Sequence, residues 1–191
     1  MVINPGPRRQ RFLVVHDYGM GGLWWWVQAT SEREIVKRIA EVEVVTDADS
    51  WERAAAWNLP EVDLDAPDLP PGLDDLRQQR DEQRGQPGFG ALAGRALVHL
   101  RCASDDEESV FYYWEVGEDG RRLREVEVHG DGPGARNTPD DWPFNTPVVD
   151  LYDPRAIAWE IDPEEFEAQW QRAGPNDDWA PGQRSRRRRQ T

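Results

Sequence analysis

Two segments near the start of the chain alternate between apolar and polar residues, which is the period expected of β-strands. Residues 11–17 read RFLVVHD, residues 23–29 read LWWWVQA, and the glycine-rich run YGMGG at 18–22 lies between them. This pattern predicts a β-hairpin. Because successive side chains of a strand point to opposite faces, Trp24 and Trp26 share one face of the second strand.

Helix signals follow the predicted hairpin. Ser31 and Glu34 stand three residues apart at the start of an apolar-periodic segment, which is the spacing of a capping box, so we expect a helix that runs to about Glu41. The alternating run EVEVV at the end of this segment predicts another strand. A second short helix is then expected, and its candidate N-caps are Asp49 and Ser50.

The second half of the chain carries a strand pattern and a final helix. Segments 95–102, 110–116 and 121–129 are rich in β-branched and aromatic residues and predict a three-stranded antiparallel meander. The sequence GEDG between the last two contains Asp-Gly, a strong hairpin signal. Asp162 and Pro163, followed by two glutamates, predict the start of the last helix.

These elements predict an α+β protein, in which antiparallel sheets pack with short helices. One sheet is the N-terminal hairpin plus a strand, and the other is the C-terminal three-stranded meander. A length of 191 residues suits one domain or two very small ones. We expect a flexible polar lead at 1–10, a single domain over 11–174 and a disordered arginine-rich tail over 175–191. The alternative is two lobes, 11–57 and 95–174, joined by 58–94.

Charge is distributed unevenly along the chain. The net charge is −14, yet residues 12–180 hold all 37 acidic residues and only 15 of the 23 basic ones, a net charge of −22. An acidic body repels phosphate backbones and favours a basic protein partner. Nucleic acid or an anionic membrane is a less favoured partner, and it would bind the C-terminal arginines Arg184, Arg186, Arg187, Arg188 and Arg189.

Composition excludes several classes of protein. A single cysteine, Cys102, excludes an intrachain disulfide. No apolar run approaches the roughly 20 residues of a membrane-spanning helix. The polar first ten residues lack the apolar core of a secretion signal. We therefore expect a cytoplasmic protein.

The candidate binding site lies at the predicted hairpin. His16, Asp17 and Tyr18 precede the glycine-rich loop at the end of a strand, where functional residues concentrate. Trp24 and Trp26 on the neighbouring strand are either covered by a second layer of structure or exposed. An exposed pair would wall a ligand pocket or form an interface hot spot.

No catalytic residue, metal site or cofactor is predicted. The GMGG run at 19–22 precedes a strand instead of a helix and lacks the lysine of a phosphate-binding loop. A calcium loop starting at Asp63 would need glycine at its sixth position and glutamate at its twelfth, and it has aspartate at both. His99 and Cys102 lie three residues apart on one strand and therefore face opposite sides, which disfavours a Cys–His nucleophile.

Two blocks resemble uncharacterised proteins. HDYGMGGLWWW at 16–26, with AEVEVV at 40–45, resembles a family from high-GC Gram-positive bacteria. The strand–Asp-Gly–strand unit at 110–129, with IDPEEFE at 161–167 and Trp170, is similar to a small domain of unknown function. Neither resemblance implies a catalytic residue or an activity. In size and acidity the chain is also similar to immunity proteins that neutralise a toxin, which is an analogy of composition and not of motif.

These observations favour a non-catalytic, acidic module that binds a basic protein, and an immunity- or antitoxin-like inhibitor is one form of it. The alternative is a small-molecule-binding protein or small enzyme with a tryptophan-walled pocket beside residues 16–22.

Overall fold

The chain has the α+β class that the sequence predicts. The computed structural model describes residues 8–18, 21–104, 108–141 and 148–176. The predicted lead up to residue 7, the loop residues Gly19 and Met20 and the C-terminal arginines lie outside the described residues.

The strands are β1 (Gln10–Asp17), β2 (Gly22–Ala29), β3 (Glu43–Val45), β4 (Glu61–Asp63), β5 (Leu97–Ala103), β6 (Val110–Gly117), β7 (Arg122–His129), β8 (Ala135–Asn137) and β9 (Gly174–Pro175). The α-helices are α1 (Glu32–Arg38), α2 (Ala48–Ala55), α3 (Leu73–Gln83) and α4 (Pro163–Arg172).

The chain divides into two compact units. The first comprises residues 1–90 with 152–154, and the second comprises residues 91–151 with 155–191. Each unit contains one of the two sheets.

The sheet of the first unit has the strand order β3-β1-β2-β4. β1 and β2 form the predicted antiparallel hairpin, with Val14 opposite Trp25, and β3 pairs antiparallel with β1. β4 adds to the other edge in the parallel direction, with Glu61 beside Trp26, so the sheet is mixed.

Both faces of this sheet are covered. On one face Val14 and Trp25 pack with Ile35 and Ile39 from α1 and its C-terminal end, and with Leu73 from α3. On the other face the buried residues come from β1, β2, β3 and α2, and they are Leu13, Val15, Trp26, Val45 and Ala54. The sheet is therefore the middle layer of the first unit, which accounts for the apolar side chains on both faces of its strands.

Two helix boundaries differ from the predictions, for local reasons. α1 ends at Arg38 and not near Glu41, because the backbone N–H of Ala40 donates to the Leu76 carbonyl of α3, 3.1 Å away, instead of continuing the helix. The N-cap of α2 is Asp47 and not Asp49 or Ser50. Aspartate and serine both favour this position, and of the three residues only Asp47 accepts hydrogen bonds from the free N–H groups of the first turn.

The sheet of the second unit has the strand order β5-β6-β7-β8-β9. β5, β6 and β7 form the predicted antiparallel meander, and β9 adds parallel to β8. The predicted Asp-Gly turn is confirmed, with a φ of +84° at Gly120, a backbone conformation that glycine adopts without steric cost. α4 covers one face with Phe166, and Val149, Leu151 and Ala156 pack against the other.

Candidate functional site

The hairpin residues singled out from the sequence lie on different sides of the first sheet. His16 is directly opposite Leu23 on β2 and shares the face of Trp25, whereas Trp24 and Trp26 point to the other face. His16 Nδ1 lies 2.8 Å from the Glu41 carbonyl oxygen, to which it donates, so a backbone group orients the ring. Tyr18 and Asp17 are exposed beside the loop.

The tryptophan face is covered by α2 and the residues that follow it. Trp26 is only 4% exposed, and its ring meets the Trp51 ring edge-on with centroids 5.1 Å apart. Trp24 is half-buried against Trp57, whose ring centroid lies 5.6 Å away. The covered alternative therefore holds for Trp26, which is part of the core. Trp57, 47% exposed, is the most exposed ring of this cluster.

A different feature, an open groove of about 730 Å³, lies at the edge of the sheet in the second unit. β5 is the edge strand, and the chain returns beside it after residue 155. The backbone N–H of Ile161 donates to the His99 carbonyl at 2.9 Å, and Glu160 forms an antiparallel bridge with Leu100. This pairing fixes the start of α4 next to β5 and creates the groove between them.

The groove has an apolar wall. Leu97 from β5 and Ile157 from the returning segment are both large apolar side chains left exposed, at 42% and 41%. Ile161 and Pro163 complete this wall. Exposed apolar side chains that share one depression are typical of a binding surface, whereas isolated ones need no explanation.

Three carboxylates line the same groove: Glu160, Asp162 and Glu165. Arg95, also in the groove, forms a salt bridge with Glu160, and this hydrogen bond raises the pKa of the Arg95 guanidinium. Asp162 is the N-cap of α4, yet its side chain makes no capping hydrogen bond. Within the described part of the chain, the carboxylates of Asp162 and Glu165 have no hydrogen-bond or ion-pair partner.

The floor of the groove is held by a buried ionic network. His99 is 8% exposed, lines the groove and places Nε2 3.2 Å from Glu115 Oε2. Arg124 donates to both oxygens of Glu115, at 2.8 and 2.6 Å, and to Glu167 at 3.0 Å. The hydrogen bonds from Arg124 hold the pKa of Glu115 below its ordinary value, and the His99 hydrogen bond acts in the same direction.

The groove residues were not selected by the sequence analysis as a site. Asp162 and Pro163 were considered there only as the start of a helix. His99 was considered only as the partner of Cys102 in a Cys–His nucleophile, which the strand geometry disfavours. Cys102 is in fact buried. Leu97 and Ile157 are sixty positions apart, so no local sequence pattern indicates that they share a groove. The glutamates after Pro163 were the available sign of an acidic surface there.

Among the described residues, no three His, Cys, Asp or Glu side chains are placed to hold a metal ion. None of the helices described is long and apolar enough to cross a membrane.

Fold and groove together define a two-sheet α+β protein with an acidic, partly apolar surface groove. Comparisons of the chain with protein-family models, with curated proteins and with solved structures gave no match. The resemblance of the HDYGMGGLWWW block to an uncharacterised bacterial family therefore stays a prediction.

Proposed function

We propose that this chain is a non-catalytic binding module whose partner is a basic protein, and that the partner docks on the groove of the second unit. The observation that supports the proposal most strongly is a combination in one depression. Two carboxylates, Asp162 and Glu165, have no counter-ion among the residues that the structure describes, and they lie beside two exposed apolar side chains, Leu97 and Ile157. Complementary charge across an interface steers association and sets specificity, while apolar contacts supply affinity.

Acidic residues elsewhere on the surface provide a contrast. In the first unit Asp63 forms a salt bridge with Arg9, and Asp65 binds both Arg9 and Arg38. Those carboxylates are already neutralised within the chain, so a basic partner would have to displace an arginine to reach them. The carboxylates of Asp162 and Glu165 require no such displacement. Unlike other exposed acids such as Glu118, they also share a depression with exposed apolar side chains, which makes the groove the favoured contact surface.

The inhibitor role predicted by analogy with immunity proteins is one form of this proposal, in which the basic partner is a toxin domain. The pocket alternative at the hairpin has less support, since Trp26 is interior and His16 lies on the opposite face of the sheet from it.

Affinity capture with the full chain tests the proposed function. Native lysate is treated with nuclease and passed over immobilised full-length protein at about 50 mM salt, with an unrelated protein of equal net charge as the control. We expect one basic protein in stoichiometric amount, absent from the control and released at about 500 mM salt because exposed ion pairs are screened there. Recovery of the same proteins from both columns would contradict the proposal.

A further inference from the structure

We infer that the groove of the second unit recognises an arginine side chain of the basic partner. This inference rests on the proposed function and specifies the chemistry of its contact. The argument comes from the hydrogen-bonding capacity of the groove, from the shape of its apolar wall and from the charge at the start of α4.

The first step concerns His99. A carboxylate accepts hydrogen bonds and donates none, so the contact with Glu115 places the imidazole hydrogen on His99 Nε2. In the neutral imidazole, Nδ1 is then an acceptor with a free lone pair. Nδ1 makes no hydrogen bond to any residue that the structure describes, and it is not among the fully buried unpaired atoms, so it is accessible from the groove that His99 lines. A ligand that brings a hydrogen-bond donor into the groove can therefore pair with this nitrogen.

The second step concerns the rest of the polar lining. Asp162 and Glu165 offer only acceptors, and the positive charge of Arg95 is paired with Glu160 through Nη2. The complementary ligand is therefore one that carries donors and a positive charge. Arginine has five N–H donors spread over a planar guanidinium, whereas lysine has three on one atom, so arginine is better able to reach acceptors on both the floor and the rim.

The third step concerns the apolar wall. The stem of an arginine is three methylene groups long and is favourably buried against apolar surface while its charged head stays near polar groups. Leu97, Ile157 and Pro163 provide that surface beside the carboxylates. The groove volume of about 730 Å³ is large enough to admit the flanking residues of a peptide as well.

The dipole of α4 does not reverse the preference of the groove for a positively charged ligand. A helix N-terminus carries about half a positive charge, which would repel a guanidinium. Asp162 and Glu165 place two full negative charges at the same end of α4, so the field that meets a ligand is negative.

The test uses the full chain and a capped heptapeptide with one central arginine flanked by leucines. A second peptide carries citrulline, which has nearly the same shape and no charge, at that position. The groove variant is Asp162→Asn/Glu165→Gln. The matched control is Glu118→Gln/Glu164→Gln, which removes the same charge from exposed positions that do not line the groove.

We expect the groove variant to weaken binding of the arginine peptide at least ten-fold, as measured by calorimetry, and the control variant to change it less than two-fold. The citrulline peptide should bind the unchanged chain at least ten-fold more weakly. Equal weakening by both variants, or equal binding of both peptides, would overturn the inference.

The failure of this inference can be distinguished from the failure of the proposed function. If a basic protein captured from lysate binds the groove variant as tightly as the unchanged chain, the module binds its partner elsewhere. The arginine site and the docking surface are then both wrong, while the role as a module that binds a basic protein stands.

Discussion

At the scale of single residues, the position of His99 in the groove depends on the buried carboxylate of Glu115. Glu115 is buried, and it is held by two hydrogen bonds from Arg124 and one contact with His99. The lowered pKa of Glu115 means that folding favours its ionised form. This network fixes the position of His99 and hence which ring nitrogen faces Glu115.

Glu115→Gln should lower the free energy of unfolding by about 2 kcal/mol at neutral pH, because it removes the buried counter-ion of Arg124. A folded-state pKa below the unfolded value gives stabilisation that is complete above the unfolded pKa, near 4.3, and is lost as the pH falls through the folded one. The difference between variant and unchanged chain in urea titrations should therefore be constant from about pH 7 to about pH 5.5 and shrink below about pH 4.

The control for this prediction is Glu118→Gln, at an exposed turn position of the same unit, which should change stability by less than about 0.5 kcal/mol. If Glu115→Gln lowers the free energy of unfolding by the same amount at about pH 3.5 as at about pH 7, the charge of this carboxylate is not the source of the stabilisation.

At the scale of elements, the two helices that begin with aspartate use that residue differently. Asp47 accepts from the backbone N–H groups of Asp49 and Ser50, at 3.2 and 2.8 Å, and the hydrogen bonds from Ser50 lower its pKa. Asp162 makes no such bond at the start of α4. One carboxylate stabilises its helix, while the other is left available to a ligand.

Substitution of these two caps by alanine should therefore have unequal effects. Asp47→Ala should destabilise the chain several times more than Asp162→Ala, because it removes the N-cap hydrogen bonds to Asp49 and Ser50. Asp162→Ala should cost about 0.3 kcal/mol, since only its interaction with the helix dipole is lost. Urea unfolding at neutral pH measures both. Equal losses would indicate that Asp162 caps α4 in solution, which would remove its carboxylate from the groove.

The elements with a strong local pattern were predictable. Alternation identified β1 and β2, Asp-Gly identified the turn between β6 and β7, and Ser31 with Glu34 identified the start of α1. The short strands β4, β8 and β9 were not predicted, because their two or three residues belong to no longer alternating run such as the one that identified β3. Tertiary pairing alone makes them strands. The end of α1 was missed for the same reason, since Leu76 of α3 determines it.

At the scale of the whole molecule, charge was easier to predict than the place where it acts. Composition gives a net charge of −14 and a preference for basic partners, and that preference stays a prediction. Which carboxylates remain without counter-ions depends on long-range contacts, such as Asp65 with Arg38 and Glu160 with Arg95. The exposure of Trp24 and Trp26 also depends on whether α2 covers their face of the sheet, and the alternation within the strand does not indicate this.

The central claim is that a cation binds the groove of the second unit and not the tryptophan cluster of the first. Backbone and indole N–H spectra of the ¹⁵N-labelled full chain, titrated with the arginine heptapeptide, test it directly. The account predicts shifts that concentrate in residues 95–99 and 157–165, with the indoles of Trp24, Trp26 and Trp57 unchanged. Shifts that concentrate at those three indoles and at His16–Tyr18 would contradict it.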